Sequence, residues 1–211
     1  DISAPLKSIK GLVNLSRIES SPEQSTLYLS KIDTSINKLE SFIAEVIDYS
    51  RTNRKEIRTE KIHLETVAKE LIEDFKYLEN FKRIEFKYDF VVEHVVTDKF
   101  LLKVILSNLI SNAIKYQKVN PEHMPFISLS SSKEGGLTKI IIEDNGEGIA
   151  PQFQERIFEM FYRGSNNSTG SGLGLYILKE AIEKLNGKIE MNSELGQGSS
   201  FIISISSSAQ V

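Results

Sequence analysis

Residues 140–148 read Ile140-Ile141-Ile142-Glu143-Asp144-Asn145-Gly146-Glu147-Gly148, and residues 170–174 read Gly170-Ser171-Gly172-Leu173-Gly174. The first stretch is an apolar strand that stops on a carboxylate and turns at once on Asn-Gly. The second is a glycine cluster that opens a helical pattern running to Leu185, with Asn186-Gly187 to close it. Asp144 therefore sits at the edge of a buried strand, where a carboxylate needs a donor. The exocyclic amine of adenine is one such donor, and an Asx turn onto the backbone after Asn145 is another. The free N–H groups and the dipole of a helix that starts among glycines suit phosphate.

Outward from this stretch, Phe126–Ser130 and Thr138–Glu143 read as strands joined by a Gly135-Gly136 turn, and Lys188–Met191 with Ser199–Ile205 as a closing antiparallel pair. A short helix is predicted over 154–160, followed by the polar run Ser165–Thr169. Upstream, Asp98 is a fair N-cap for a helix that runs to about Tyr116. Asn108 and Asn112 are four residues apart on that helix and Lys115 is three further on, so the three share one face. Carboxamide oxygens and a cation aligned there could meet Mg²⁺ and phosphate, and a solvent-facing stripe is the ordinary alternative. Ile84–Phe90 alternates as a half-buried strand, and Leu64–Phe75 as an amphipathic helix. Helices and antiparallel strands without a regular βαβ repeat predict an α+β two-layer sandwich over residues 56–211.

Residues 1–55 differ in kind. A first helix carries Leu6, Ile9, Leu12 and Val13, Glu19–Glu23 is a break, and a longer helix follows to about Arg54. Leu29, Ile32, Ile36, Leu39, Ile43 and Val46 step by 3, 4, 3, 4 and 3 residues, the seam of a helix bundle. Two helices cannot cover two such stripes, which points to a four-helix bundle built from two copies, or to packing on the rest of the chain. The charged segment Arg54–Lys61 reads as a linker and domain boundary.

A net charge of −3 leaves no basic excess for nucleic acid. With no cysteine, disulfides, thiolate catalysis and cysteine zinc sites are excluded. No apolar run approaches the ~20 residues of a membrane span. The chain opens inside a periodic segment without Met, so it reads as a piece of something longer.

The segments SNLISNAIKYQ, EDNGEGIA, RIFEMFYRG, TGSGLGLYILKE and GQGSSF, in this order, resemble box by box the catalytic ATP-binding domain of sensor histidine kinases. The hairpin ahead resembles that family's dimerisation and histidine-phosphotransfer domain, and DISAPLKSIKGL the segment that follows its phosphorylated histidine. The likeness covers essentially the whole chain. It implies a two-layer sandwich of the histidine-kinase, chaperone and topoisomerase ATPase type, with ATP and Mg²⁺ as cofactors. It also implies a homodimer through the hairpin, a response-regulator receiver domain as partner, and a cytoplasmic location whether or not the parent is membrane-anchored.

Carried onto this sequence, the resemblance gives Asn112 to Mg²⁺ with Asn108 beside it, Lys115 to phosphate and Tyr116 to the flank of the base. Asp144 would accept from the adenine amine, and Gly146, Gly148 and Ile149 would shape the adenine pocket. Arg163 would reach the phosphates, while Gly170, Ser171, Gly172, Leu173 and Gly174 would end a lid near 153–171 and begin the phosphate-binding helix. Phe158 and Phe161 would pack the lid base, and Ser199 would be either a second contact at the adenine end or a plain strand residue.

Asp1 matches the acidic residue directly after the family's acceptor histidine, and would be the general base for it. None of His63, His94 and His123 matches the acceptor position. Ala4 stands where phosphatase-competent members often carry Thr or Asn, which implies weak phosphatase activity. Another ATPase of the wider superfamily, and a non-enzymatic dimerisation scaffold, are the competing readings. The hairpin argues against the first, and the intact Asn112, Asp144 and glycine set against the second.

Overall fold

The structure is a computed structural model that describes residues 3–18, 21–54, 56–78, 81–118, 120, 122–163 and 171–206. The chain divides into two compact units, the first ending at Arg51 and the second beginning at Thr52.

The first unit is a pair of helices, α1 (Ser3–Ile18) and α2 (Pro22–Arg54), the second continuing past the unit boundary. Pro22 opens α2, where its missing N–H costs nothing and its fixed φ suits the first turn. No side chain of α1 is buried. Along the α2 seam Leu29, Ile36, Ile43 and Val46 are all exposed in the single chain. A stripe of this length left open to water is costly at about 25 cal/mol per Å² of apolar surface.

The second unit is a five-stranded sheet covered on one face by helices. Its strands are β2 (Glu85–Phe90), β4 (Phe126–Glu134), β5 (Leu137–Asp144), β6 (Lys188–Glu194) and β7 (Gly198–Ser206), in the order β2-β4-β5-β7-β6. β2 runs parallel to β4, and every other neighbour is antiparallel. The period-two pattern sets the layers. Ile127, Leu129, Ile140, Ile142 and Ile203 are fully buried on one face, while Ser128, Ser130 and Ile141 on the other are half-exposed. The helical layer is α3 (Leu64–Asp74), α4 (Lys99–Lys115) and α6 (Gly174–Lys184), with α4 packed against α3, α6 and β5. Leu102, Ile105, Leu106, Leu109, Ile110 and Ile114 of α4 are wholly enclosed, which makes this helix the centre of the core.

Two strands escape the sequence pattern. β1 (Thr59–His63) begins inside the segment expected to be a linker and runs past its end, and it pairs antiparallel with β3 (His94–Asp98). Thr-Glu-Lys-Ile-His has one apolar residue, Ile62, and it is buried where β1 pairs with β3 and packs against α3 and α4. The helix expected over 154–160 is instead α5 (Pro151–Gln154), followed by turns. Pro151 at the first position starts it early, and Phe161, at φ 64°, ends the turns in a left-handed conformation.

Asp98 ties these parts together while only 2% exposed. Its Oδ1 accepts the Leu101 N–H at 3.1 Å, capping α4, and its Oδ2 accepts the Arg58 N–H at 2.9 Å. Asp98→Ala removes both acceptors and leaves the buried Leu101 N–H and the part-buried Arg58 N–H unpaired. The expected loss is roughly 2 to 4 kcal/mol of unfolding free energy, read from urea denaturation of the whole chain.

Candidate nucleotide-binding site

The site is built where β5 ends. Asp144 is half-buried, with its Oδ1 accepting the Gly146 N–H at 2.8 Å, so the Asx turn expected as an alternative does form. It does not exhaust the carboxylate, whose two oxygens offer about four acceptor sites. Burial drives the Asp144 carboxyl up from 3.8 to about 6; the N–H groups of Gly146 and Ser199 hold it lower than burial alone would, Glu143 raises it and Lys118 lowers it.

The loop after Asp144 is pressed against its neighbours. A Cβ on Gly146 would stand 2.4 Å from the Tyr116 carbonyl oxygen, and that same oxygen accepts the Glu147 N–H at 2.8 Å. Gly148, at φ 67°, lies so close to the Glu194 carbonyl that a Cβ would meet it at 2.0 Å. The loop is thus wedged between the C-terminal end of α4 and the turn from β6 to β7.

Along α4, Asn108, Asn112 and Tyr116 are half-buried and Lys115 is exposed, between the enclosed core stripe and open solvent. Asn108 donates through Nδ2 to the Val104 carbonyl at 2.8 Å, which turns its Oδ1 toward the start of α6. A Cβ on Gly174 would stand 2.5 Å from that oxygen. From Asn108 to Tyr116 the helix rises about 12 Å, so one end of this face meets the α6 N-terminus and the other the Asp144 loop. Leu173 begins α6 without a side-chain cap. Burial raises the Tyr116 phenol, opposed by the charge of Arg163 and reinforced by Glu147, so those three groups share a neighbourhood. The Phe161 N–H donates to the Gly172 carbonyl at 3.0 Å, closing the ends of the segment between them.

Residues 97–209 match the family described as "Histidine kinase-, DNA gyrase B-, and HSP90-like ATPase", more than half of the chain. The chain belongs to this ATPase family. ATP is accordingly the nucleotide for the site. Its curated relatives include the sensor-like histidine kinase SenX3 of Mycobacterium tuberculosis, 34% identical over 185 residues that cover 84% of this chain and 44% of SenX3. The sensor histidine kinase AruS of Pseudomonas aeruginosa is 31% identical over 213 residues, 95% of this chain and 21% of AruS. The chain thus spans less than half the length of these relatives, and the resemblance to a histidine kinase core holds along most of it.

Among solved structures, the histidine kinase AdeS of Acinetobacter baumannii shares the fold with TM-score 0.74 at 21% identity, over 98% of this chain and 97% of that one. Histidine kinase ThkA, solved in complex with response regulator protein TrrA, shares it with TM-score 0.75 at 23% identity, over 98% and 59%.

Within this ATPase domain, Asp144, Gly146, Gly148, Ile149 and Tyr116 gather at one end, and Asn108 and Gly174 meet at the other. Asp1 and Gly170 lie outside the described residues, as does the polar run 165–169. Of the two phenylalanines expected at the lid base, Phe158 is half-buried but Phe161 is half-exposed; the enclosed residue there is Ile157. Phe161 takes a left-handed backbone conformation and its side chain is exposed.

Sequence reading missed Gln154, Ser193, Glu147 and Lys118. Ser193 reaches the loop only because β6 pairs with β7, and a lone serine on an edge strand carries no pattern, while Gln154 reaches it from the end of α5.

The raised Asp144 pKa has a stability consequence. Its folded value lies above the unfolded one, so its contribution favours the fold in acid, below about 4, and is lost as pH rises through about 6. Asp144→Asn keeps the acceptor for Gly146 and removes the titration. Its urea midpoint is expected to fall less than the wild type's between pH 4 and 7, and the wild-type carboxyl to titrate near 6 by NMR.

Proposed function

We propose that this chain is the kinase core of a sensor histidine kinase, transferring the γ-phosphoryl group of ATP to a histidine and onward to a response-regulator aspartate. The observation that carries this reading is the half-buried Asp144 carboxylate, with more acceptor sites than its two backbone N–H donors occupy, at the end of a core strand and one loop from Tyr116. An adenine amine is the donor that suits it. Residues 1–55 act as the dimerisation and phosphotransfer hairpin, and residues 56–211 as the catalytic ATP-binding domain.

Gly146, Gly148 and Ile149 line the adenine end with Asp144, and Tyr116 flanks the base. Lys115 and Arg163 meet the phosphates, together with Gly170, Ser171, Gly172, Leu173 and Gly174 at the start of α6. The oxygen donors on the α4 face are carboxamides, a type Mg²⁺ takes alongside phosphate oxygens and water, so Asn112 would hold the ion with Asn108 beside it. Mg²⁺, when bound, neutralises phosphate charge. The chain's own work is positioning and charge neutralisation, which is most of what phosphoryl transfer asks of a protein.

The acceptor is the histidine that precedes Asp1 in the parent protein, with the Asp1 carboxylate taking the imidazole proton. None of His63, His94 and His123 matches that position. The hairpin seam, with Leu29, Ile36, Ile43 and Val46 exposed, closes against a second copy, and its outer faces receive the response regulator. The site of action is cytoplasmic. Among the described residues no helix is long and apolar enough to cross a membrane.

A chain extended upstream to restore the histidine, incubated with γ-labelled ATP and Mg²⁺, is expected to acquire acid-labile, base-stable label. Asn112→Ala and loss of the restored histidine should each abolish it, and no label despite ATP binding would overturn the kinase reading. Light scattering of the chain should give a dimer, and Ile36→Asp with Ile43→Asp should convert it to monomer, since two charges in the seam cannot be buried unpaired.

A further inference from the structure

We propose that Ser193 on β6 is a positioning residue of the nucleotide site, joining both walls of the base pocket through one hydroxyl with Gln154 as its brace. The inference rests on the adenine-site reading of Asp144 and deepens it.

Three groups converge on Ser193 Oγ. The Ile149 N–H donates to it at 2.8 Å, it donates to the Gly198 carbonyl at 2.9 Å, and Ser199 Oγ stands 2.9 Å away. With its single proton on Gly198, Ser193 receives the Ser199 hydroxyl proton as well as the Ile149 N–H. Gln154 closes the bracket from the far side, its Nε2 donating to the Ile149 and Ser193 carbonyls at 2.8 Å each. Ile149 is thus held at both its N–H and its C=O.

The strand register carries this bracket to Asp144. Ser193 pairs with Ser199 across β6 and β7, and Ser199 pairs with Asp144 across β7 and β5. Ser199 is buried, and its backbone N–H donates to the Asp144 carboxylate. Gly198 packs against the Asp144 carbonyl, where a Cβ would stand 2.0 Å away. One serine hydroxyl therefore fixes the loop that follows Asp144 and the residue that donates to its side chain. Gln154, the last residue of α5, extends the same fixation to the segment leading to Arg163.

The test is the affinity of the whole chain for ADP with Mg²⁺, measured by calorimetry from pH 5 to 8 in wild type, Ser193→Ala, Ser193→Thr and Gln154→Leu. The groups that bear on Asp144 are Glu143, Lys118 and the N–H groups of Gly146 and Ser199. Wild-type binding is expected to weaken as pH falls through the Asp144 titration. Ser193→Ala should weaken ADP roughly tenfold at pH 7, about the effect of one buried hydrogen bond. It should also move the acid-side midpoint upward, because a loosened Ser199 N–H no longer favours the charged carboxylate. Ser193→Thr, which keeps the hydroxyl, should restore both. Gln154→Leu should shift both in the same direction by less, and decides the matter if Ser193→Ala does not fold. Wild-type affinity and midpoint in Ser193→Ala, or lost affinity with an unmoved midpoint, overturns the positioning role and leaves the adenine reading standing. Absence of saturable ADP binding by the wild type overturns the adenine reading and this inference with it.

Discussion

The burial of one carboxylate at the end of a core strand governs the second unit. Placing Asp144 where β5 leaves the sheet raises its pKa to about 6, so the charge that suits an amine donor is held there at the expense of the empty fold. Two backbone N–H groups moderate that cost, and both depend on geometry that glycine permits. The Gly146 N–H reaches back because the loop turns beneath the Tyr116 carbonyl, and the Ser199 N–H arrives because Gly198, at φ 117°, lies flat against Asp144. A side chain at either glycine would drive into backbone, and backbone cannot yield as a flexible side chain does.

The sheet and α4 together turn a local feature into a site. Enclosed on its core face by Leu102, Ile105, Leu109 and Ile110, α4 cannot rotate, so Asn108, Asn112 and Tyr116 stay on a half-open face. Its two ends are pinned differently. Near Asn108 it meets the glycine start of α6, and at Tyr116 it accepts a hydrogen bond from the Asp144 loop. Rigid packing along one helix thus relates the two ends of the proposed nucleotide site, as preorganised recognition requires.

The first unit follows another rule. Its helices are amphipathic but bury no side chain of α1, and the α2 seam stands exposed in the single chain, as the proposed dimer requires. The ATPase unit carries its own core and the hairpin does not. In the proposed dimer, the stability of the two is therefore coupled to concentration in different ways.

Much of this was legible in the residues. The alternation in Phe126–Ser130, the closing Asn186-Gly187 and the Asp98 cap all describe local backbone, and local backbone chemistry is written in order along the chain. The seam, the Asn108–Asn112 face and the Asp144-Asn145-Gly146 turn were legible for the same reason. Strand β1 was not, because a polar pentapeptide with one isoleucine becomes a strand only beside β3. Nor was the exposed, left-handed Phe161, whose N–H pairs with the Gly172 carbonyl across a gap in sequence. The sequence by itself determined which groups could meet a nucleotide, since residue type and helical spacing decide that. Only the tertiary structure decided how they are held: Ser193 and Ser199 join Asp144 through strand register, with Gln154 of α5 bonded to Ser193, and register comes from the sheet as a whole.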